Sequence, residues 1–296
     1  MSDRFSAKIL LFGEYTIIKG SKGLAFPFDH YHAAFSQADS PDDVQKSFRL
    51  EELYQYLASS SILSENMDLK AFQDDIARGL FLNSNIPPGY GLGSSGALCA
   101  AIYARYANDF ERKDFYTNDE LNRLKDMMAL MENFYHGTSS GLDCLISLVD
   151  QPVLIREKHT YELVKKPNLN KFGSFYLFDS GISRKTAGFV HGFLEKYEEN
   201  QDYKNNIDLH VDLVNNLIDN VTSGNKAEFH HNFYNLSEFQ LKNFSDMVPA
   251  TVKELWGTGL DTKEYLFKLC GAGGGGFFLV YSDQGSFRPG EKYISV

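Results

Sequence analysis

A glycine-rich stretch at residues 87–97, PPGYGLGSSGA, constrains the possible folds of this chain most strongly. Pro87 and Pro88 end the element before it, and the glycines behind them allow positive φ angles. The residues that follow have helical spacing and predict a buried helix with small faces: Ala97, Ala100, Ala101, Ala104 and Ala107. Backbone N–H groups converge where a glycine loop enters a helix, so an anion such as phosphate can bind there. The stretch predicts either a phosphate-binding loop or a flexible connector in front of a capped helix.

Charge and composition exclude several classes of protein. The 296 residues, 43% of them hydrophobic, suffice for two domains with cores of their own. Clustered Lys and Arg hold phosphate backbones, whereas this chain has 39 acidic against 29 basic residues and a net charge of -10. A nucleic acid or an anionic membrane surface is therefore not an expected partner. An anionic ligand must be held locally, by a few residues.

The cysteines and the absence of long apolar segments indicate the compartment. Cys99, Cys144 and Cys270 each stand in an apolar or glycine-rich run, without the paired spacing of a zinc site. We expect buried, reduced thiols rather than disulfides. No stretch approaches the ~18 consecutive apolar residues of a membrane span. The sequence therefore predicts a cytoplasmic protein.

The first half of the chain begins with β-type sequence and has a lysine inside an apolar strand. The predicted elements are a strand at 7–12, a tight turn at 13–14, a second short strand at 15–18, further sheet at 24–26 and 31–35, a turn at 40–43, a helix at 69–82 and a strand at 152–155. Lys8 lies in the first of these strands. It is either a strand-edge lysine whose head reaches water or a residue with a function.

A second turn rich in glycine and serine lies between two carboxylates. Thr117–Glu120 has the pattern of a capping box and predicts the start of a helix that runs to about Tyr135. Glu132 and His136 are four positions apart, so they share a face at the end of this helix. Asp143 follows the turn and precedes an apolar run. Each carboxylate alone is explained by a solvated helix end or an N-cap, but the shared turn makes both candidate site residues.

The second half is predicted to be rich in helices, with strands at its two ends. A polar segment at residues 158–171 predicts a boundary between domains at 1–160 and 161–296. The predicted elements beyond it are strands at 175–178, 265–270 and 277–281 and helices at 189–197, 213–221 and 229–236. Gly271–Gly276 has five glycines in six residues. That is costly in chain entropy unless a backbone or a ligand comes close, and the alternative is a plain hairpin loop.

Four stretches together resemble the successive signatures of the GHMP small-molecule kinase superfamily: KILLFGEYTIIKG at 8–20, PPGYGLGSSGA at 87–97, ENFYHGTSSGLD at 132–143 and KLCGAGGGG at 268–276. Within that superfamily the sequence is most similar to the mevalonate kinases. The resemblance implies an α+β fold of two domains. The N-terminal domain would have a left-handed βαβ crossover like that of a ribosomal protein, and the C-terminal domain would be ferredoxin-like. ATP and the acceptor would meet between them.

The resemblance also implies roles for individual residues. Asp143 matches the catalytic base, and Lys8 matches the lysine beside it. Glu132 and Ser95 match the Mg²⁺ ligands. The residues that match the ATP-binding segments are Pro88, Gly89, Gly91, Leu92, Gly93, Ser94, Ser95, Gly96, Gly271, Ala272, Gly273 and Gly274. Those expected on the acceptor's side are Glu14, Tyr15, His136, Ser140, Arg184 and Thr186.

The implied activity is ATP- and Mg²⁺-dependent phosphorylation of a small-molecule alcohol, mevalonate to 5-phosphomevalonate, a step of isoprenoid precursor synthesis. His136-Gly137 and Gly273–Gly276 favour a mevalonate kinase. Tyr15, in the place of a usual histidine, and Gly96 are commoner in phosphomevalonate kinases. A phosphomevalonate kinase, a sugar kinase of the same superfamily and a non-catalytic ligand sensor with this fold are the alternatives. No nucleic-acid or membrane partner is expected, and the protein is expected to be a monomer or homodimer.

Overall fold

The structure, a computed structural model, describes residues 4–156, 160–183, 188–283, 285, 287 and 293–296, with the backbone alone over 41–48. It contains two antiparallel sheets, and helices pack against each of them. None of the helices in these ranges combines the length and the apolarity that a bilayer crossing requires.

The first sheet is built from the strands of the N-terminal half. These are β1 (Arg4–Phe12), β2 (Gly23–Gln37), β3 (Leu80–Ser84), β4 (Val153–Ile155) and β5 (Tyr161–Leu163). Their order is β1-β2-β4-β5, and β3 pairs with the far end of β2. Ala7, Ile9 and Leu11, at alternate positions of β1, are fully buried. Phe5, Lys8 and Phe12 are buried as well, so β1 is covered on both faces.

Six helices of the described residues belong to this half: α1 (Pro41–Ser59), α2 (Ser61–Asn66), α3 (Leu69–Ala77), α4 (Ser94–Tyr106), α5 (Asn118–His136) and α6 (Leu142–Val149). The predicted small-faced helix is confirmed as α4, which is largely buried and packs on β1, α5 and α6. The predicted capping box is also confirmed at the start of α5. The Glu120 N–H donates to Thr117 Oγ1, and the Thr117 N–H donates to the Glu120 carboxylate.

The second sheet and its helices form the C-terminal half. The strands are β6 (Ser174–Asp179), β7 (Leu266–Leu269), β8 (Phe277–Ser282) and β9 (Tyr293–Ser295), in the order β7-β8-β6-β9. The helices are α7 (Phe189–Glu199), α8 (Gln201–Ser223), α9 (Phe229–Asn243) and α10 (Ala250–Thr262). The six elements predicted for this half are confirmed, whereas α10 and β9 are additional. Aromatic rings dominate the core, as where Trp256 stacks on Phe267 with ring centroids 5.9 Å apart.

The predicted strand at residues 15–18 is wrong. Thr16–Lys19 forms a short 3-10 helix, flanked by Tyr15 with φ 63° and Gly20 with φ 95°. A tyrosine rarely adopts positive φ, so the surroundings must hold it there. The side chain of Tyr15 is 5% exposed. Its burial decides the path of the chain at this turn.

Two further predictions in the first half fail at element ends. Residues 40–43 are not a turn; Pro41 opens α1, where its missing N–H costs no helical hydrogen bond. The helix predicted at 69–82 ends at Ala77. Gly79, with φ 86°, then leads the chain into β3. The two segments of sheet predicted around residue 30 are the single long strand β2.

The two sheets confirm the predicted α+β class with a two-domain arrangement. The division at residues 160 and 161 stays a prediction, and β5 pairs with β4, so the first sheet extends just past residue 160. The two halves pack on each other near the end of β1. Phe12 of β1 and Phe233 of α9 have ring centroids 6.1 Å apart.

Candidate active site

Lys8 and Asp143 form an ion pair beside the start of α6. The Nζ of Lys8 lies 3.1 Å from Oδ1 of Asp143, and the lysine side chain is 7% exposed. Asp143 stands in the first turn of α6, behind the N-cap residue Gly141. A strand-edge lysine with its head in water is therefore excluded. The aspartate side chain is 36% exposed, so part of the carboxylate remains accessible to a ligand.

The glycine-rich stretch packs directly on this ion pair. The Lys8 N–H donates to Leu92 O at 2.9 Å, so the stretch lies along β1. A Cβ added at Gly93 would lie 3.2 Å from Lys8 Cγ and 3.4 Å from Asp143 Cβ. A Cβ at Gly96 would lie 2.9 Å from the carbonyl carbon of Asp143, closer than real Cβ atoms come. Close approach demands glycine at Gly96, and Gly93 has a φ of 74°, which favours glycine. The stretch is packed rather than a free connector.

The N-terminus of α4 lies at the same place. Its N-cap is Gly93, which has no side chain to accept a hydrogen bond from the first turn. The Ala97 N–H donates to Gly93 O at 2.9 Å and makes the first hydrogen bond of the helix. The N–H groups of Ser94, Ser95 and Gly96 precede it and have no acceptor within the helix. Such N–H groups, together with the helix dipole, attract an anion. The helix start can therefore hold phosphate oxygens next to the Lys8 and Asp143 pair.

Glu132 is the centre of a second polar group. Its side chain is buried at the end of α5. Ser95 Oγ donates to its Oε1 at 2.7 Å, and Ser139 Oγ donates to its Oε2. His136 Nε2 lies 3.0 Å from Ser95 Oγ and 3.9 Å from the same Oε1 of Glu132. The structure therefore brings Ser95, Glu132 and His136 together. The spacing on α5 predicts the shared face of Glu132 and His136, and the family resemblance implies that Ser95 lies near Glu132.

This donor set fits Mg²⁺. Among the residues that the structure describes, no three His, Cys, Asp or Glu side chains converge as a metal site. Mg²⁺ does not need such a cage, since it is usually bound through one or two carboxylates together with substrate phosphates and water. Glu132 supplies one carboxylate, and Ser95 supplies a hydroxyl on the first turn of α4. Both are hard oxygen ligands beside the predicted phosphate site.

The glycine turn at Gly271–Gly276 reaches the glycine-rich stretch from the other half of the chain. The Phe277 N–H donates to Tyr90 O at 3.4 Å. A Cβ at Gly276, whose φ is 68°, would lie 2.7 Å from that oxygen. β7 and β8 also pair as a hairpin around this turn. The turn is thus both a hairpin loop and a close backbone contact, which explains its glycine content.

Two of the residues predicted on the acceptor's side are buried in a different contact. Glu14 Oε1 lies 2.5 Å from Lys268 Nζ, and the Tyr15 hydroxyl donates to Ala272 O at 2.6 Å. Burial raises the pKa of Glu14, and the charge of Lys268 opposes the rise. Both side chains are buried, so neither faces the solvent-accessible part of the site. Lys268 has no predicted role, although the signal that singles out Lys8, a lysine in an apolar strand, is present there too.

The turn between α5 and α6 uses a serine that sequence analysis missed. Ser139 contacts Glu132, whereas Ser140, the predicted residue, accepts a hydrogen bond from the Leu142 N–H at 3.3 Å. The two serines are adjacent and chemically identical. Only the geometry of the folded turn decides which of them faces the carboxylate.

The remaining predicted residues lie at the edge of the site or beyond it. Pro88 and Gly89 are exposed at the start of the glycine-rich stretch. The His136 side chain is 55% exposed, so it borders solvent as well as Ser95. Arg184 and Thr186 lie outside the described residues.

Comparison with known proteins identifies the family. Residues 56–151 match the family described as GHMP kinases N terminal domain. These residues form a GHMP kinase N-terminal domain. The mevalonate kinase of Dictyostelium discoideum is 25% identical over 239 residues, which span 70% of this chain and 58% of that enzyme. The mevalonate kinase of Thermococcus sibiricus is 25% identical over 94% of this chain and 88% of its own length. The structure of L. major mevalonate kinase with R-mevalonate has a TM-score of 0.63 at 17% identity, covers 95% of this chain and 86% of its own, and shows a shared fold.

Proposed function

We propose that this protein transfers the γ-phosphoryl group of ATP to the 5-hydroxyl of mevalonate, forming 5-phosphomevalonate and ADP. The observation that carries the proposal is the ion pair of Lys8 and Asp143, in contact with Gly93 and Gly96 of the glycine-rich stretch. Phosphoryl transfer depends on positioning and charge stabilisation, so a base touching a phosphate-binding loop meets its main requirement. The two curated mevalonate kinases support mevalonate as the acceptor.

Asp143 acts as the general base. Its carboxylate takes the proton of the acceptor hydroxyl as the oxygen attacks the γ-phosphorus, and the bond to the β-phosphate oxygen breaks to release ADP. Lys8 holds the carboxylate from the buried side, 3.1 Å away. The exposed part of the carboxylate is left for the acceptor. Lys8 thereby fixes the orientation of the base before the substrate binds.

The phosphate groups bind at the start of α4. The N–H groups of Ser94, Ser95 and Gly96 point ahead of the helical ladder and donate to phosphate oxygens. Glu132 and Ser95 would hold Mg²⁺, which when bound neutralises negative charge on the β- and γ-phosphates. The hydrogen bond between these two side chains keeps both oxygens in place for the metal.

The decisive experiment measures ADP release with Mg²⁺ and ATP in the presence of one acceptor at a time: mevalonate, phosphomevalonate, homoserine or galactose. We expect turnover with mevalonate, and a loss of about 10²-fold or more in Asp143→Asn. Asp119→Asn is the matched control, because Asp119 also stands in the first turn of a helix, α5, and is exposed away from the ion pair. This control should retain full activity.

Each other outcome has its own meaning. Turnover with phosphomevalonate or galactose alone would replace mevalonate as the acceptor. No turnover with any acceptor would favour a ligand sensor that has kept the fold. Undiminished turnover in Asp143→Asn would remove Asp143 from the role of base.

A further inference from the structure

Tyr15 connects the turn after β1 to the C-terminal half of the protein. Its hydroxyl donates to Ala272 O at 2.6 Å. Its ring packs on Phe193 and Phe244, with centroids 5.1 Å from each. The side chain is 5% exposed. Although Tyr15 follows the first strand of the N-terminal sheet, its ring is part of the C-terminal hydrophobic core.

The backbone conformation of Tyr15 indicates that tertiary contacts hold its side chain in this position. Its φ of 63° lies in the left-handed region, which L side chains rarely adopt. Such a conformation persists where the surroundings over-determine it. The buried ring and the hydrogen bond to Ala272 supply that constraint. The side chain is therefore held toward the glycine turn.

A second contact runs parallel to the first. Glu14, next to Tyr15 in the chain, pairs with Lys268 at 2.5 Å, and both side chains are fully buried. Lys268 lies on β7, the strand that leads into Gly271–Gly276. Glu14 and Tyr15, two consecutive residues of the N-terminal half, thus bind β7 and the turn that follows it.

The turn Gly271–Gly276, which Tyr15 contacts, also contacts the glycine-rich stretch. Ala272 lies within Gly271–Gly276, and at the other end of this turn Gly276 leaves room only for glycine against Tyr90 O. Tyr90 belongs to the stretch whose helix start carries the uncapped N–H groups. The turn Gly271–Gly276 therefore connects the Tyr15 hydroxyl to the glycine-rich stretch, through one side-chain hydrogen bond at Ala272 and a close backbone contact at Gly276.

We propose that Tyr15 is a positioning residue for nucleotide binding: it fixes the glycine turn Gly271–Gly276 against the glycine-rich stretch and does not contact the acceptor alcohol. The inference rests on the proposed function for the identity of the two ligands. It reverses the expectation that Tyr15 faces the acceptor, and it makes the tyrosine at this position uninformative about which alcohol is phosphorylated.

The test is Tyr15→Phe, which keeps the packed ring and removes the hydroxyl. We expect KM for ATP to rise about 3- to 10-fold, the effect of losing one hydrogen bond, while KM for the acceptor is unchanged. The matched control is Tyr281→Phe. The Tyr281 hydroxyl also donates to a backbone carbonyl, Phe172 O at 3.0 Å, with a longer contact of 3.4 Å to Asp283 Oδ1, and the residue is 1% exposed. The control removes the same kind of buried bond away from the turn, so it should lower the melting temperature comparably and change neither KM.

A binding measurement separates this inference from the proposed function. Calorimetric titration with Mg²⁺ and a non-hydrolysable ATP analogue needs no acceptor, and we expect the Kd of Tyr15→Phe to rise by the same factor as KM. If no alcohol is phosphorylated, the proposed function fails while the titration still tests Tyr15. A rise in KM for the acceptor, or an unchanged Kd for the analogue, would overturn the inference.

Discussion

The carboxylate of Glu14 and the ammonium group of Lys268 meet at 2.5 Å, although 254 positions separate them in the chain. Their side chains are 1% and 0% exposed. Lys268 Nζ also donates to Leu269 O and lies 5.7 Å from the centroid of the Phe12 ring. The ion pair is therefore shielded from solvent, and it joins the turn after β1 to β7.

Removal of one partner should destabilise the protein strongly. Glu14→Gln leaves the Lys268 charge buried without a counter-charge, so we expect the free energy of unfolding to fall by about 3–5 kcal/mol. The double variant Glu14→Gln, Lys268→Met removes both charges and should recover much of this loss. Urea unfolding measures both values.

The control for this experiment is an exposed ion pair. Arg156 and Glu162 meet at 2.8 Å with both side chains about half exposed. We expect Glu162→Gln to cost less than about 1 kcal/mol, because solvent screens such pairs. Equal losses in Glu14→Gln and Glu162→Gln would contradict the assignment of a buried, tightly coupled pair.

Lys8→Met should reduce kcat more than it changes KM for ATP. The variant keeps an unbranched apolar stem but removes the ammonium group that orients the Asp143 carboxylate. We expect kcat to fall by about 10²-fold, the size of a general-base contribution. Steady-state kinetics measures both parameters. Lys19→Met is the control, since Lys19 pairs with Glu198 at 3.1 Å on α7, away from Asp143; a comparable fall there would point to a general effect of removing a lysine.

Ser139→Ala should weaken Mg²⁺ binding without changing a direct ligand. Ser139 Oγ donates to Glu132 Oε2 and so orients the carboxylate that we assign to the metal. Loss of such an outer partner commonly lowers metal affinity about 10- to 100-fold. We expect the Mg²⁺ concentration for half-maximal activity to rise by at least about tenfold. Ser223→Ala, which removes a hydroxyl that donates to Asp219 O on α8, should leave the titration unchanged; an unchanged Ser139→Ala curve would argue against Glu132 as the metal ligand.

His210 should make the protein less stable in mild acid. Burial on α8, where the ring stacks on Phe239 with centroids 3.7 Å apart, lowers the pKa of His210 from 6.5 to about 3. As pH falls below 6.5, the unfolded chain gains a proton that the folded protein does not take up until about pH 3. The contribution of neutral His210 to the free energy of unfolding is therefore complete above pH 6.5. Between pH 6.5 and about pH 3 it is lost at about 1.4 kcal/mol per pH unit as the pH falls.

Urea unfolding near pH 7 and about pH 5 tests this prediction. We expect the wild-type protein to lose about 2 kcal/mol more than His210→Phe between these conditions. His191→Phe is the control, because the His191 side chain on α7 is 76% exposed. If His210→Phe shows the same pH dependence as the wild-type protein, other groups are responsible.

Local sequence was sufficient for the elements whose signals are short-range. The capping box of Thr117 and Glu120 joins residues three positions apart, so α5 could be predicted to begin where it does. The small faces of α4 and the glycines around it are likewise visible in the sequence. The resemblance of four motifs then indicated that Lys8 and Asp143 belong to one site, and the structure places them 3.1 Å apart.

The tertiary structure decided what depends on contacts between distant segments. The sequence by itself determined the elements with short-range signals and the candidate chemistry, because periodicity, capping and glycine content act over a few residues. It could not show that Tyr15 adopts positive φ, since that conformation is held by a ring buried against Phe193 and Phe244. Nor could it show that Glu14 is neutralised by Lys268. Burial and charge pairing depend on which segments the fold brings together. Glu14 and Tyr15, predicted on the acceptor's side, therefore lie in the contact between the two halves.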